Sequence, residues 1–394
     1  MTHPLAHLHN QSEFLAAGLM SGTSMDGVDA AIVGMDADPE APCVVLRGFV
    51  TVPYPEALRD PLSDLAFGQQ ATAQEIAELH TAVAVAFAGA FHEACRHAGV
   101  DAARVDFIGC HGQTVAHAPP GPGAGAIAGT LQLGPPTMVA ALTGVTTVGD
   151  FRSGDVALGG QGAPLSPLPD FLLRRSREHS RAILNIGGIA NATILPRDCR
   201  REDVVAFDTG PGNMVLDGLY RALYPGKGAH DPGGESAARG NPSPELLEEL
   251  LAHPYFSAPP PKSAGHREFG PPFAWGLRSR AQALGLSRDD TLATAAALTV
   301  ESAARALAAA RPEELFVTGG GAHNAAILSG LARALEAADV RPIDALGIPG
   351  DAKEAVDFAL LARETVLGRP NVLPRVTGAA RALVLGAIAL GGPR

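Results

Sequence analysis

Two aspartates stand at the ends of apolar runs: Asp150 closes VTTVGD, and Asp208 lies in VVAFDTGPGN. Strand ends in α/β domains face the ligand crevice. Transfer of a phosphoryl group to a hydroxyl needs a carboxylate there, to orient the nucleophile and accept its proton. Asp208 suits the base, because Thr209-Gly210-Pro211-Gly212-Asn213 wraps a tight loop beside it whose amides can face an anion. A carboxylate that merely caps a turn is the structural alternative for either residue.

Glycine-rich stretches supply further anion-binding chemistry. Gly22-Thr23-Ser24-Met25-Asp26-Gly27 combines glycines, which let backbone amides converge, with two hydroxyl donors. No Gly-Lys-Ser/Thr step follows, and the chain returns as a strand, so this is not a Walker A loop. An ordinary hairpin turn accounts for the same residues. Gly319-Gly320-Gly321 follows a strand and precedes a helix, where bare backbone and a helix N-terminus can approach a nucleotide. A plain strand-to-helix turn is its alternative. His111 and Gln113 emerge at the end of the strand VDFIG, although for a lone histidine without context the structural reading is the stronger one. The run GGQGAPL from Gly159 to Leu165 demands special backbone geometry, for binding or for a chain crossing.

The elements that must position these residues follow from hydrophobic period. FLAAGLMSGTSMDGVDAAIV reads as strand, tight loop and returning strand, and RAILNIGGIANATILP repeats the design in the second half. Two similar hairpins suggest two related domains. ATAQEIAELHTAVAVAFAGAFHEACRHAGV reads as a long amphipathic helix, LATAAALTVESAARALAAA as another, and EELFVTGGG as a strand entering glycines before the helix AHNAAILSGLARALEAA. Strands alternating with helices imply layered α/β domains. HPYFSAPPPKSAGHREFG and GPPFAWGLRSRAQALG, rich in Pro and Gly, are expected as loops and short helices on the second domain.

A chain of 394 residues exceeds what one core usually supports, so two domains with a cleft between them are expected. Hydrophobic residues at 46% and charged residues at 18% exclude a disordered chain. A net charge of −11 without a basic run argues against nucleic acid or an anionic membrane as partner. The expected partner is a small molecule. Cys43, Cys95, Cys110 and Cys199 are widely spaced, which suggests neither zinc nor a disulfide framework and fits reduced thiols in the cytoplasm. MTHPLAHLHNQSEF has no Lys or Arg and no long apolar core, so no secretory signal is expected, and no segment reads as a membrane span.

Taken in order, GLMSGTSMDGVD, CHGQTVAH, GDFRSGDVALGGQGAPL, LNIGGIANAT, FDTGPGN, PPKSAG, VTGGGAHN and GIPGDAKEAVDFALLA resemble the anhydro-N-acetylmuramic acid kinase family, within the superfamily of actin, sugar kinases and heat-shock chaperones. The resemblance runs from about residue 17 to 390 and implies two actin-like (ribonuclease H-like) α/β domains, 1–150 plus 373–394 and 151–372, the first closed by a C-terminal helix TGAARALVLGAIAL. It implies ATP and Mg²⁺ as cofactors, with no metal ligand assigned. The ATP site would draw on Gly22, Thr23, Ser24, Met25, Asp26, Gly27, Val28, Asp29, Gly187, Gly188, Gly210, Gly212 and Asn213, with Gly319, Gly320, Gly321 and Asn324 toward the adenosine.

The sugar would be held by residues drawn from Asp26, His111, Gln113, Asp150, Arg152 and Glu354, and Asp208 would be the catalytic base. The implied reaction opens 1,6-anhydro-N-acetylmuramic acid with water and phosphorylates O6, as in recycling of peptidoglycan. Ala264 and His266 stand where the family carries Thr and Arg, which puts a ligand contact from that loop in question. The insert PPGPGAGAIAG is expected as a surface loop. A homodimer is left open. A kinase of the same fold acting on another sugar, and an actin-type ATP switch without sugar chemistry, are the competing readings.

Overall fold

The computed structural model describes residues 5–119, 127–260 and 262–392. The chain divides into unit 1, residues 1–173 with 351–394, and unit 2, residues 174–350. Its strands are β1 Glu13–Ser21, β2 Gly27–Asp36, β3 Val44–Pro53, β4 Phe107–Ala118, β5 Gly129–Leu133 and β6 Thr147–Gly149. Then follow β7 Arg181–Ile186, β8 Ile189–Leu195, β9 Val205–Pro211, β10 Glu314–Thr318, β11 Asp339–Pro342 and β12 Ala387–Ala389. Most of the Pro- and Gly-rich insert after His117 lies outside the described residues.

Each unit is built on one sheet pattern. In unit 1 the order is β3-β2-β1-β4-β6, with β12 added beyond β6 and β5 folded back on β4. In unit 2 it is β9-β8-β7-β10-β11. In both, the first three strands run antiparallel, while the first pairs in parallel with the fourth and the fourth with the fifth. The two hairpins legible in the sequence are therefore equivalent pieces of a repeated sheet.

Helices follow from amphipathic period and caps. The helix Ala73–Ala98 starts at Thr72 with a reciprocal capping box to Glu75 and ends at Gly99 in the left-handed region. It buries Val83, Phe87, Phe91 and Ala94 against Leu19, Val28 and Ile108 of the unit 1 sheet. In unit 2, the helix Arg288–Leu307, capped by Ser287, buries Leu292, Ala296 and Ala303 in a core with Leu184, Ala192 and Leu315. Among the described residues no helix is long and apolar enough to cross a membrane.

The boundaries differ from those expected. The segments 151–173 and 351–372 belong to unit 1, because the helix Lys353–Val366 packs on β1 and β4. Its backbone comes so close that a Cβ on Gly18 would collide with the Ala355 carbonyl, and one on Gly109 with that of Phe358. The helix is buried all round, so its charges are paired internally: Lys353 Nζ reaches Asp357 at 2.6 Å and Asp170 at 3.0 Å, and Arg363 Nε donates to Glu364 at 2.9 Å. The tail TGAARALVLGAIAL is not a helix either. After the short turn Pro374–Thr377 it runs extended into β12, which adds antiparallel to β6, so edge pairing overrides the helix propensity of its alanines and leucines.

Gly18→Ala is expected to lower unit 1 stability by about 3 kcal/mol, since neither backbone can yield cheaply. Thermal unfolding checks it, and a midpoint equal to that of the parent would mean the helix can retreat freely.

Candidate active site

In both sheets the chemistry-bearing residues gather at one edge, the C-terminal ends of the parallel strands. In unit 1, β4 runs beside β1 with Gln113 opposite Ser21, and β6 beside β4 with Gly149 opposite Cys110. Residues 22–26 and Asp150 therefore leave the sheet together, beside His111, which lies within β4 where its parallel pairing ends. In unit 2, the turn after β7, the loop after β9 and the glycines after β10 do the same.

The loop between β1 and β2 is fixed from below. Gln113 is fully buried, with its Oε1 at 2.6 Å from Ser21 Oγ and its Nε2 donating to the Gly22 carbonyl at 3.1 Å. Gln113 is thus placed as a clamp beneath the loop. Met25 adopts a left-handed φ of 53° and buries its side chain in the core, and Val28 is buried as well, so these two present only backbone. Gly27 passes tightly over Val52 and Pro53 of β3. Thr23, Ser24 and Asp26 are exposed, and the Ser24 hydroxyl donates to Asp26 Oδ1 at 2.9 Å. Asp29 accepts from the Thr51 hydroxyl at 2.6 Å, and burial nevertheless raises its pKa, with the charges of Asp26 and Asp351 adding to the effect.

Beside this loop lies a histidine–arginine pair. Arg152 Nε and Nη2 donate to His111 Nε2 at 3.1 and 2.9 Å, so the imidazole proton is on Nδ1. Nδ1 lies near the Ser21 and Gly112 backbone without a well-formed hydrogen bond. The ring rests against Phe358, centroids 4.7 Å apart. Burial, then the charge of Arg152, holds the His111 pKa well below its ordinary value and keeps the ring neutral. Burial also pushes Arg152 down to about 10, against the favourable charges of Glu354 and Asp155. Burial raises Glu354, which starts the helix Lys353–Val366, despite the adjacent Lys353. Asp150, at φ 56°, is exposed and accepts from Ser153 N at 3.1 Å, a turn-capping role.

In unit 2 the expected catalytic carboxylate is held by main chain. Asp208 N donates to the Lys262 carbonyl at 3.1 Å, the Tyr255 hydroxyl donates to the Asp208 carbonyl at 2.6 Å, and Ala264 N donates to Asp208 Oδ2 at 2.8 Å. Burial pushes the Asp208 pKa up to about 6, with the Ala264 amide opposing. Sequence reading missed Tyr255 and Lys262 as its supports. The only signal was the segment PPKSAG, which contains Lys262 and Ala264; Tyr255 lies outside it, 47 positions from Asp208 along the chain.

The loop after β9 is not open to an anion along its whole length, as the sequence suggests. Gly212 N and Met214 N donate to the Gly188 carbonyl at 3.0 and 3.1 Å, and Asn213 N to that of Gly187 at 2.7 Å. These amides are engaged because the loop must latch onto the β7–β8 turn, and a Cβ on Gly212 would strike the Gly187 carbonyl. Gly210 packs against Ser302 and Phe256. Gly319, with φ 75°, passes the Asn185 side chain and the end of β7; Gly320 faces Asn213, and Gly321 lies on Ile186. Asn324 Oδ1 caps the helix Ala325–Ala334 by accepting from Ala326 and Ile327 N. Among the described residues no group of three or more His, Cys, Asp or Glu side chains is arranged to hold a metal ion.

Two copies of this mixed sheet, each with its loops at the same strand ends, define a two-domain protein of the actin-like ATPase and sugar-kinase class. The family model for anhydro-N-acetylmuramic acid kinase matches residues 14–391. Anhydro-N-acetylmuramic acid kinases of Salinibacter ruber and Gloeobacter violaceus are each 44% identical, the first over 99% of both chains and the second over 94% of this chain and 97% of its own. The chain belongs to the anhydro-N-acetylmuramic acid kinase family. A solved structure, the activator of 2-hydroxyisocaproyl-CoA dehydratase from Clostridium difficile with bound ADPNP, aligns over 89% of this chain and 95% of its own at 11% identity, with a TM-score of 0.46.

The raised pKa of Asp208 has a stability signature. The folded state holds its proton more tightly than the unfolded chain, so between pH about 4 and 6 folding takes up a proton and stability falls as pH rises. Asp208→Asn keeps an acceptor for Ala264 N and removes this cost. The variant is expected to be more stable than the parent by about 1–2 kcal/mol above pH 6, with the difference vanishing below pH 4. Denaturant unfolding at both pH values checks this; a gap independent of pH would contradict the raised pKa.

Proposed function

We propose that this protein opens 1,6-anhydro-N-acetylmuramic acid with water and phosphorylates O6 with ATP, giving N-acetylmuramic acid 6-phosphate and ADP. The observation that carries the reading is Asp208: a carboxylate within β9 that accepts from the main-chain N–H of Ala264, with its pKa pushed up by burial to about 6, in a chain of this kinase family. A general base is most effective when its pKa lies near the working pH.

The chemistry needs one base for two bond changes. O6 of the anhydro bridge carries no proton and is bonded to C1, so it cannot attack phosphorus until that bond breaks. Asp208 takes a proton from water as the water oxygen bonds to C1. The C1–O6 electron pair then moves onto O6, O6 bonds to the γ-phosphorus, and the bond from that phosphorus to the β-bridging oxygen breaks as ADP leaves. The second hydrogen of the water stays on the new C1 hydroxyl.

The remaining roles follow the chemistry of each group. The exposed backbone and hydroxyls of residues 22–24 and the turn Gly187-Gly188 suit phosphate oxygens, and the bare glycines 319–321 suit the adenosine. Mg²⁺ would neutralise charge on the phosphates, and the carboxylates of Asp26, within the glycine loop, and Asp29, two residues after its last glycine, would offer it oxygen atoms of the kind it takes. His111, Arg152, Asp150 and Glu354 offer donors and acceptors to the sugar, while Gln113 serves from beneath. A small-molecule substrate accords with the net charge of −11 and a cytoplasmic location with the free cysteines, while the product named above would belong to peptidoglycan recycling.

Incubation with Mg·ATP in ¹⁸O-labelled water, followed by mass spectrometry, tests the reading. The anhydro sugar is expected to give the 6-phosphate with one label at the C1 hydroxyl, and N-acetylmuramic acid to react poorly. Asp208→Asn is expected to lower kcat about a thousandfold while ADP affinity stays within about threefold. Equal phosphorylation of the open sugar would move the assignment to another sugar kinase, ADP without sugar phosphate to an ATP switch, and near-normal turnover by Asp208→Asn would remove it as the base.

A further inference from the structure

We infer that Asp155 and Thr377 are positioning residues for the sugar site, acting through Arg152 on His111; the inference rests on the reading of that site given above. Asp155 is fully buried in the short helix Ser153–Ala157. Its Oδ2 accepts from Gly162 N at 2.7 Å, and its Oδ1 accepts from the Thr377 hydroxyl at 2.7 Å. The carbonyl of Gly162 in turn accepts from Arg152 Nη1 at 2.6 Å, and the other face of the guanidinium is occupied by His111 Nε2. An unbroken hydrogen-bonded chain thus runs from Thr377 through Asp155, Gly162 and Arg152 to the imidazole.

This arrangement explains the glycine-rich run that the sequence left without a purpose. Residues 159–164 wrap the Asp155 carboxylate: Gly160 N donates to the Asp155 carbonyl at 2.9 Å, and a Cβ on Gly160 would strike Oδ2. Gly162, at φ 67°, turns its amide toward Asp155 and its carbonyl toward Arg152, a conformation that favours glycine. Gln161 N donates to the Thr377 carbonyl at 2.7 Å, and Ala380 N to the carbonyl of Leu158 just before the loop at 3.1 Å, so this stretch is tied to the C-terminal return at two points. A buried carboxylate with both oxygens satisfied is a rigid anchor. Its charge also favours the cationic form of a guanidinium that burial would otherwise disfavour.

The expected consequence is on geometry at Arg152 and His111, with the base in unit 2 untouched. Thr377→Val and Asp155→Asn are expected to raise KM for the anhydro sugar by about threefold and more than tenfold respectively, with kcat and KM for ATP changed by less than about threefold. Thr377→Ser should restore the parent value. In an Arg152→Ala background neither substitution should add to the defect, because both act through that side chain.

Nitrogen-15 NMR of His111, assigned by the signal lost in His111→Gln, reads the same chain without turnover. The parent should hold the proton on Nδ1, and both variants should shift its two ring nitrogens toward tautomer exchange. If the parent fails to convert the anhydro sugar, the proposed function falls while the NMR comparison still reads the chain. Unchanged His111 signals in Thr377→Val and Asp155→Asn, or defects that add fully to that of Arg152→Ala, would overturn the inference. Should Asp155→Asn fail to fold, Thr377→Val and its Ser rescue decide alone.

Discussion

The backbone of the helix Lys353–Val366 lies directly on β1 and β4, and unit 1 depends on that contact. Side chains at Gly18 or Gly109 would prevent it. Once seated, the helix places Glu354 in the field of Asp29 and Arg152 and sets Phe358 against the His111 ring. Such close approach leaves no water for the helix's own charges, so Lys353, Asp357, Arg363 and Glu364 bond to one another or to neighbouring groups. The pairing offsets desolvation and fixes rotation about the helix axis, because a turned helix would bury the same charges unpaired.

Three acidic residues illustrate how environment assigns a role to the same functional group. Asp155 has two strong donors and no exposure, which makes it an anchor. Asp150 is exposed and caps a turn. Asp208 has one amide on one oxygen and a largely desolvated setting, which lifts its pKa into the range useful to a base. Its support from Ala264 is a main-chain N–H, a contact that does not depend on the side chain at that position. The latch between residues 212–214 and the turn at Gly187 and Gly188 fixes the end of β9, and with it the depth at which Asp208 sits.

Several features were determined by sequence alone. Alternating apolar runs around Gly- and Asp-rich turns specify the two hairpins, because a strand must present one face to a core and a tight reversal needs small or polar residues. The capping box Thr72–Glu75 and the amphipathic stripe behind it specify the long helix in the same local way. Ordered motifs placed the chain in its family and pointed to Asp208. Tertiary structure decided what local pattern cannot encode. Gln113 became a buried clamp because β4 runs beside β1, 92 residues away. The alanine-rich tail became extended because β6 offered an open edge, and the glycine run at 159–164 acquired a purpose only when Thr377, 222 positions from Asp155, closed on the same carboxylate. Propensity and period act over a few residues, whereas desolvation, edge pairing and hydrogen bonding act on whatever the fold brings into contact.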